Sequence, residues 1–319
     1  MRIAIAGYGN VGRGVEAAAG GFPDLVLSGI FTRRPREVAE QTNVPVWPYN
    51  DAAQHVGEVD TVIICGGSAD DLPVMSPYFA RYYNIADSFD SHENMSEHIA
   101  RVDLAARGGG HVAVTAAGWD PGLMSLARLY FAAVLPGGET LTRWGPGVSR
   151  GHTEVLRRMH GVAEAVQFTV PDKCVDMPDL PESGNFAGGS DSDLRQAHRR
   201  ECYIVPLPGT DTDSLADAIR RHPYFEGYKT DISFVTQDEF DAIGNTDRHG
   251  GLVVRRGDCG GLCSLTFKAA LASNSRFTGS VLCAAARAAD RLAGKGRTGC
   301  FTLADIPPVL LSGDETVMW

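Results

Sequence analysis

Along the first part of the chain, apolar residues come in short continuous runs rather than alternating with polar ones. Arg2-Ile3-Ala4-Ile5-Ala6, Leu25 to Phe31, Thr61 to Cys65, Asn84 to Asp90 and His111 to Ala116 each end in glycine or polar residues. This is the pattern of parallel strands buried on both faces. Helix-compatible stretches, among them Arg13 to Ala19 and Met95 to Arg107, lie between them. The alternation predicts an α/β fold with an N-terminal doubly wound parallel sheet. Val44-Pro45-Val46-Trp47 adds a weaker strand, confined by its proline to an edge or a strand start.

Beyond Pro121 the pattern changes. Gly122 to Leu135 predicts a helix with Pro121 in its first turn, stopped by Gly137-Gly138. Thr140 to Trp144, Ala165 to Val170, Glu201 to Pro206 and Tyr228 to Val235 predict strands of a mixed sheet. Thr153 to Met159 and Ser214 to Arg221 predict helices between them. Pro171 to Ser192, rich in Pro, Asp, Ser and Gly, predicts an exposed loop or lid. Phe277 to Leu292 predicts a last apolar helix that packs back on the first domain. The expected division is therefore 1–120 for the parallel sheet, 121–275 for a second α+β domain, and 276–319 for the returning segment.

Composition narrows the class. A chain of 319 residues suggests about two domains. The formal net charge of −10 argues against a nucleic-acid or membrane-surface partner. No apolar run has the roughly 20 residues of a membrane span, and a strand begins at once. A cytoplasmic protein is expected. The seven cysteines form no C-x-x-C pair, so no metal site is expected and free thiols are.

The most informative punctuation follows the first strand. Gly7-Tyr8-Gly9-Asn10-Val11-Gly12 is a G-x-G-x-x-G between a strand and a helix, the context of a dinucleotide-binding Rossmann fingerprint. Gly7 permits the turn, Gly9 leaves room for a pyrophosphate, and Gly12 lets the helix lie close on the strand. A tight turn with no ligand would use the same glycines. After the second run, where an NAD-preferring fold carries Asp or Glu about 20 residues on, the chain has Thr32-Arg33-Arg34. A guanidinium binds a ribose 2′-phosphate that a carboxylate would repel, which predicts NADP(H). The small-residue loop Cys65-Gly66-Gly67-Ser68 at another strand end lets a cofactor approach.

Several further runs are more specific. Phe31-Thr32-Arg33-Arg34, Asp87-Ser88-Phe89-Asp90-Ser91-His92, Gly118-Trp119-Asp120-Pro121-Gly122, Trp144-Gly145-Pro146-Gly147-Val148-Ser149-Arg150-Gly151-His152 and His249-Gly250-Gly251 occur in order with the glycine motif. Together they resemble the meso-diaminopimelate dehydrogenases over nearly the whole chain. The resemblance implies a homodimeric NADPH-dependent enzyme that oxidatively deaminates the D-centre of meso-2,6-diaminopimelate in lysine and cell-wall precursor biosynthesis. Its products would be L-2-amino-6-oxopimelate, the open form of tetrahydrodipicolinate, and ammonium. It implies a substrate held between two walls of an interdomain cleft. Asp90, Trp119 and Asp120 would lie near the reacting D-centre, with Trp144, Arg150 and Gly151 nearby. Thr169, Arg200, His249 and Asn274 would hold the distal L-centre, with Arg199 as the alternative clamp. Ser88, Phe89, Ala117, Gly118, Trp119 and Pro121 would join the nucleotide loops at the cofactor. Arg150 departs from the family pattern, in which an uncharged residue is expected.

The chemistry agrees with these residue types. Hydride transfer needs no covalent nucleophile, only placement of the α-hydrogen over the nicotinamide and a neutral amine, and Asp90 and Asp120 are the candidate catalytic carboxylates. Each has a plainer reading. Asp120 before Pro121 has the form of a helix cap, Arg200 that of a salt-bridged strand entrance, His249 that of a surface residue, and the tryptophans those of core residues. A broader D-amino acid dehydrogenase and a non-catalytic NADPH sensor are the alternatives.

Overall fold

The computed structural model describes residues 1–171, 198–243 and 248–313. Beyond Pro171, the expected lid lies outside the described residues, as do Cys174 and the side chain of Arg150. The chain divides into two compact units, one of 1–126 with 275–319 and one of 127–274.

The first unit alternates as the apolar runs predict. In order come β1 (Arg2–Ala6), α1 (Asn10–Ala19), β2 (Val26–Thr32), α2 (Pro35–Ala39), β3 (Val46–Pro48), β4 (Thr61–Ile64), α3 (Leu72–Phe79), β5 (Asn84–Asp87), α4 (Met95–Gly109), β6 (Val112–Val114) and α5 (Leu123–Val134), which continues into the second unit. Successive side chains in a strand point to opposite faces. Ile3, Ile5 and Ile63 accordingly share one apolar cluster with Val15 of α1, while Ala4, Val62 and Ile64 share another with Leu72, Phe79 and Val102 of α3 and α4.

In the second unit β7 (Glu139–Trp144), β8 (Gly147–Val148), α6 (Arg150–Arg157), β9 (Val162–Pro171), β10 (His198–Pro206), α7 (Thr212–Arg221), β11 (Thr230–Phe234), α8 (Gln237–Ile243), β12 (His249–Asp258) and β13 (Leu262–Leu271) form two sheets. One has the order β11-β10-β9-β8, with β10 and β11 parallel and the other pairs antiparallel. The other, β13-β12-β7, is antiparallel throughout. Burial alternates along β9 and β10, and α6 and α7 cover the buried face through Leu156, Leu215 and Ile219.

The final segment returns to the first unit as α9 (Asn274–Gly294), β14 (Gly299–Phe301) and α10 (Pro308–Leu311). The first sheet then reads β14-β6-β5-β4-β1-β2-β3, all parallel, and the strand order reverses between β1 and β4. Leu282, Ala285 and Ala289 of α9 join the cluster that holds Ile3 and Val15.

Three readings are corrected. The long β12–β13 hairpin was not expected, although Gly260-Gly261 between apolar runs is a hairpin signal. Asp258 closes its tip by accepting hydrogen bonds from both glycine N–H groups at 2.8 and 2.9 Å. At that tip Cys259 and Cys263, expected as free thiols, are joined in a disulfide with Cα atoms 6.0 Å apart, while Cys65, Cys202, Cys283 and Cys300 are free. The helix after Pro121 begins at Leu123, so Pro121 is not in its first turn and Asp120 is not its cap.

Candidate active site

Within the first unit, the expected nucleotide residues gather at the carboxyl edge of the sheet. Gly7 has φ +92°, and its N–H donates to the Phe31 carbonyl at 2.9 Å. A Cβ there would collide with the Cys65 carbonyl, and one on Gly12 with the Gly7 carbonyl, so both glycines are required by close backbone approach. At Gly9, which precedes α1, a Cβ would meet nothing within 4 Å. The first turn of α1 has no acidic residue. Free N–H groups facing open space with no carboxylate beside them suit a pyrophosphate. Tyr8 turns its side chain inward and bonds Glu16, while Asn10 accepts from Arg13 at 3.1 Å.

At the end of β2, Thr32 is buried and accepts the Arg34 N–H at 3.2 Å. Arg34 pairs with Glu37 at 2.7 Å, and Arg33 with Asp71 at 2.6 Å. The second oxygen of Asp71 accepts the Gly67 N–H at 3.2 Å, which ties Arg33 to the Cys65–Ser68 loop. Ser68 in turn accepts the Asp90 N–H at 3.0 Å. Asp71 was not singled out from the sequence, where it is one acid in Asp70-Asp71.

The two candidate catalytic carboxylates leave neighbouring strands, Asp90 after β5 and Asp120 after β6. Residues 118–122 form a closed turn in which Gly118 N–H donates to the Pro121 carbonyl at 3.0 Å. Leu123 N–H returns to the Gly118 carbonyl at 3.1 Å. Gly122, at φ +132°, has no room for a Cβ against Gly118. Trp119 and Asp120 are thus presented by a turn built on glycines at both ends, with Ala117 and Pro121 beside them.

Within the second unit, Thr169, Arg200, His249 and Trp144 also converge. Thr169 pairs in register with Arg200 on one side and with Gly147 on the other. Arg200 is buried, its guanidinium 4.0 Å above the Tyr228 ring and 3.4 Å from the Thr169 hydroxyl, and its Nε has no hydrogen-bond partner among the described residues. Arg199 points elsewhere, to Glu201 at 2.5 Å and Asp231 at 3.5 Å. His249 is buried and packs against Gly147, where an added Cβ would come within 2.6 Å of the His249 Cα. Its Nδ1 lies 2.8 Å from the Gly250 N–H and 3.0 Å from the Gly250 carbonyl, held by the backbone of the next residue. Trp144, opposite Gly251, meets His198 edge-on at 5.6 Å. Asn274 lies three residues beyond Leu271, the register partner of His249. Gly151 lies in the first turn of α6, after Arg150.

Tyr228 and His152 were given no role from the sequence, although His152 closes the Trp144 run. His152 bonds Ser149 at 2.6 Å. Burial, with the positive charge of Arg200, holds it neutral, its pKa lowered to about 3.

The residues matching the signature of the diaminopimelic acid dehydrogenase C-terminal domain are 118–275. The sequence is 44% identical to the meso-diaminopimelate D-dehydrogenase of Ureibacillus thermosphaericus, over 98% of this chain and 95% of that protein. The chain belongs to the diaminopimelate dehydrogenase family. The enzyme of that name from Corynebacterium glutamicum is 38% identical over 99% of this chain and 96% of its own length. Among solved structures, C. glutamicum DAP dehydrogenase in complex with DAP matches with a TM-score of 0.91 at 37% identity, covering 100% of this chain and 97% of that one. An engineered D-amino acid dehydrogenase bound to NADP+ matches at 0.89 and 36%, covering 98% and 96%. The match to the C. glutamicum structure covers this chain from the glycine turn to the returning helix. No helix among the described residues is long and apolar enough to cross a membrane.

Proposed function

We infer that this chain catalyses the reversible NADP+-linked oxidative deamination of the D-centre of meso-2,6-diaminopimelate. Water enters, and L-2-amino-6-oxopimelate, ammonium, NADPH and a proton leave. In a chain related to these enzymes over its full length, the observation that carries the reading is the buried Arg200 fork. It lies over Tyr228 beside Thr169, with Nε left to donate. A buried guanidinium so arranged suits a carboxylate at the far end of a long zwitterion.

The glycine turn and the start of α1 would hold the pyrophosphate, and Thr32, Arg33 and Arg34 the ribose 2′-phosphate. The Cys65–Ser68, Ser88–Phe89 and Ala117–Pro121 segments would line the remainder. When bound, NADP+ supplies the hydride acceptor. Asp90 and Asp120 draw in the D-centre ammonium and take its proton as the α-carbon loses hydride. Trp119 and Trp144 limit water near that carbon, with Gly151 and Arg150 beside the same end. Arg200, Thr169, His249 and Asn274 hold the L-centre, so that only a D-configured far end reaches the hydride path. The enzyme works as a cytoplasmic homodimer in this reading. The exposed Leu129, Tyr130 and Val134 of α5 supply apolar surface for association, and light scattering tests it.

The deciding assay is NADP+ reduction by the separate meso, LL and DD isomers of diaminopimelate. Fast turnover of meso with none of LL is expected. Equal turnover of meso-diaminopimelate and short D-amino acids would replace this reading with a broad D-amino acid dehydrogenase. NADPH binding with no turnover of any isomer would replace it with a sensor.

A further inference from the structure

Asp87 ends β5 and is fully buried, yet the reaction described above gives it no part. A buried carboxylate is costly unless its oxygens are hydrogen-bonded. Asp87 accepts from His98 of α4 at 3.1 Å, Ser76 of α3 at 2.7 Å, Thr115 after β6 at 2.5 Å and the Phe89 N–H of its own loop at 3.1 Å. Its backbone carbonyl accepts the Ala117 N–H at 2.9 Å. The Phe89 ring lies flat on His98, with centroids 3.9 Å apart and planes 5° apart. Burial alone would push the carboxyl up; the His98 bond, helped by Thr115 and Ser76, more than reverses this and holds it low. An ionised carboxylate only accepts, so His98 donates from Nε2.

These bonds go to two places that matter. Phe89 N–H fixes the loop that carries Asp90 one residue later. Thr115 and Ala117 fix the segment that becomes the Trp119–Asp120 turn. Resting on the reading of Asp90 and Asp120 as the substrate carboxylates, we propose that Asp87 is the positioning residue that sets those two loops relative to each other. It touches neither substrate nor cofactor. Its effect passes through the Phe89 and Ala117 amides and through His98, which props the Phe89 ring.

The test uses Asp87→Asn in the full-length protein. The amide oxygen is uncharged and is one acceptor where the carboxylate has two, so the four donors are held less tightly even where the Ser76 hydroxyl or His98 turns to accept from the new NH2 group. In the cofactor-free protein, amide hydrogen exchange should rise roughly tenfold or more at Phe89, whose N–H is bonded to the carboxylate, less at Ala117, whose N–H keeps the residue 87 carbonyl and is loosened only through Thr115, and stay unchanged in β1 and β4. With meso-diaminopimelate, kcat should fall about tenfold or more while KM and the Kd for NADPH move less than about threefold. The isotope effect on kcat with substrate deuterated at the D-centre should increase, because a misplaced α-hydrogen slows hydride transfer itself. His98→Gln should show the same pattern more weakly, and it carries the test if Asp87→Asn does not fold. Uniformly faster exchange and a lower Tm, with kcat per folded enzyme and isotope effect unchanged, would overturn the proposal and leave Asp87 a sheet fastener. Wild-type protein that fails to oxidise meso-diaminopimelate would sink the functional reading instead, and the exchange at Phe89 and Ala117 would still report whether Asp87 holds both loops.

Discussion

One buried arginine, Arg200, sets the second unit apart from the first. In the first, Arg287 of α9 places its guanidinium on Asp24 at 2.5 and 2.6 Å and on the Leu311 carbonyl at 2.7 Å. In the second, Arg255 is likewise satisfied by the Leu135 and Pro136 carbonyls and the Thr140 hydroxyl. Arg200, equally buried, lies on the Tyr228 side chain, which also hydrogen-bonds it, makes a long bond to Thr169, and has an Nε unmatched among the described residues, and nearby in the same sheet Gln167 has an Oε1 likewise unmatched. A buried polar group normally finds its partners within the fold. Arg287 and Arg255 are fasteners, and Arg200 has bonding capacity left over for something else. The first unit spends its polar core on order, as Asp87 does, and exposes its chemistry on loops at the sheet edge. The second keeps unsatisfied polar groups inside. The division predicts that first-unit carboxylates govern kcat and that the second-unit cation governs KM.

The largest effect is expected at the reacting end. Asp120→Asn and Asp90→Asn should each lower kcat for meso-diaminopimelate by roughly a hundredfold or more, the lower range for loss of a positioned acid–base group, with NADPH affinity nearly intact. Full turnover at saturation in both variants would move the chemistry elsewhere. Next in size, Arg200→Met should lower kcat/KM for the same substrate by roughly 10- to 150-fold, mostly through KM, from about 1.5–3 kcal/mol of charge-assisted bonding. Short D-amino acids, which have no distal carboxylate, should lose much less. Arg199→Met, removing a side chain turned toward Glu201 and Asp231, should do little, and a selective loss there would transfer the clamp to Arg199.

The same contrast explains what could be read from the chain. Runs such as Thr61–Ile64 have one stable setting, a strand covered on both faces, so the first unit and its loop-borne Asp90 and Asp120 were visible as strand ends. The second unit depends on register. Thr169 opposite Arg200, and Arg200 over Tyr228, are separated by tens of positions along the chain, and no local pattern announces the pairing. Only the runs around Trp144 and His249 pointed there, through their resemblance to a family. Asp87 shows a third case. It opens the run Asp87 to His92, but its role depends on Ser76, His98 and Thr115 arriving from three separate parts of the chain.

A smaller effect tests Arg287 as a fastener. Asp24→Asn removes the carboxylate from a buried guanidinium and should cost about 1.5–3 kcal/mol, seen as a Tm lower by several degrees. KM and kcat at a temperature well below Tm should stay as they are. A changed KM for meso-diaminopimelate would mean that the returning helix does more than hold the first unit together.

The smallest effect expected is at the cofactor end, where the arginines are exposed. Arg33 shows most of its side chain to solvent and is already engaged by Asp71, so its attraction for a 2′-phosphate is partly screened and partly spent. Arg33→Ala should therefore weaken NADPH only about tenfold, near the low end for one charge-assisted bond, and leave NADH almost unchanged. Asp71→Asn separates two ways in which that ion pair can act. If Asp71 competes with the phosphate, the variant binds NADPH more tightly and NADH as before. If Asp71 orients the guanidinium, and through Gly67 the Cys65–Ser68 loop, NADPH binding weakens in the variant. The second outcome is expected, because the same carboxylate joins Arg33 to a loop backbone that must keep its shape for either nucleotide. Its signature is a loss for NADPH accompanied by a smaller loss for NADH, measured by fluorescence titration of the two reduced cofactors. Equal losses for both cofactors in Arg33→Ala would remove the 2′-phosphate assignment altogether.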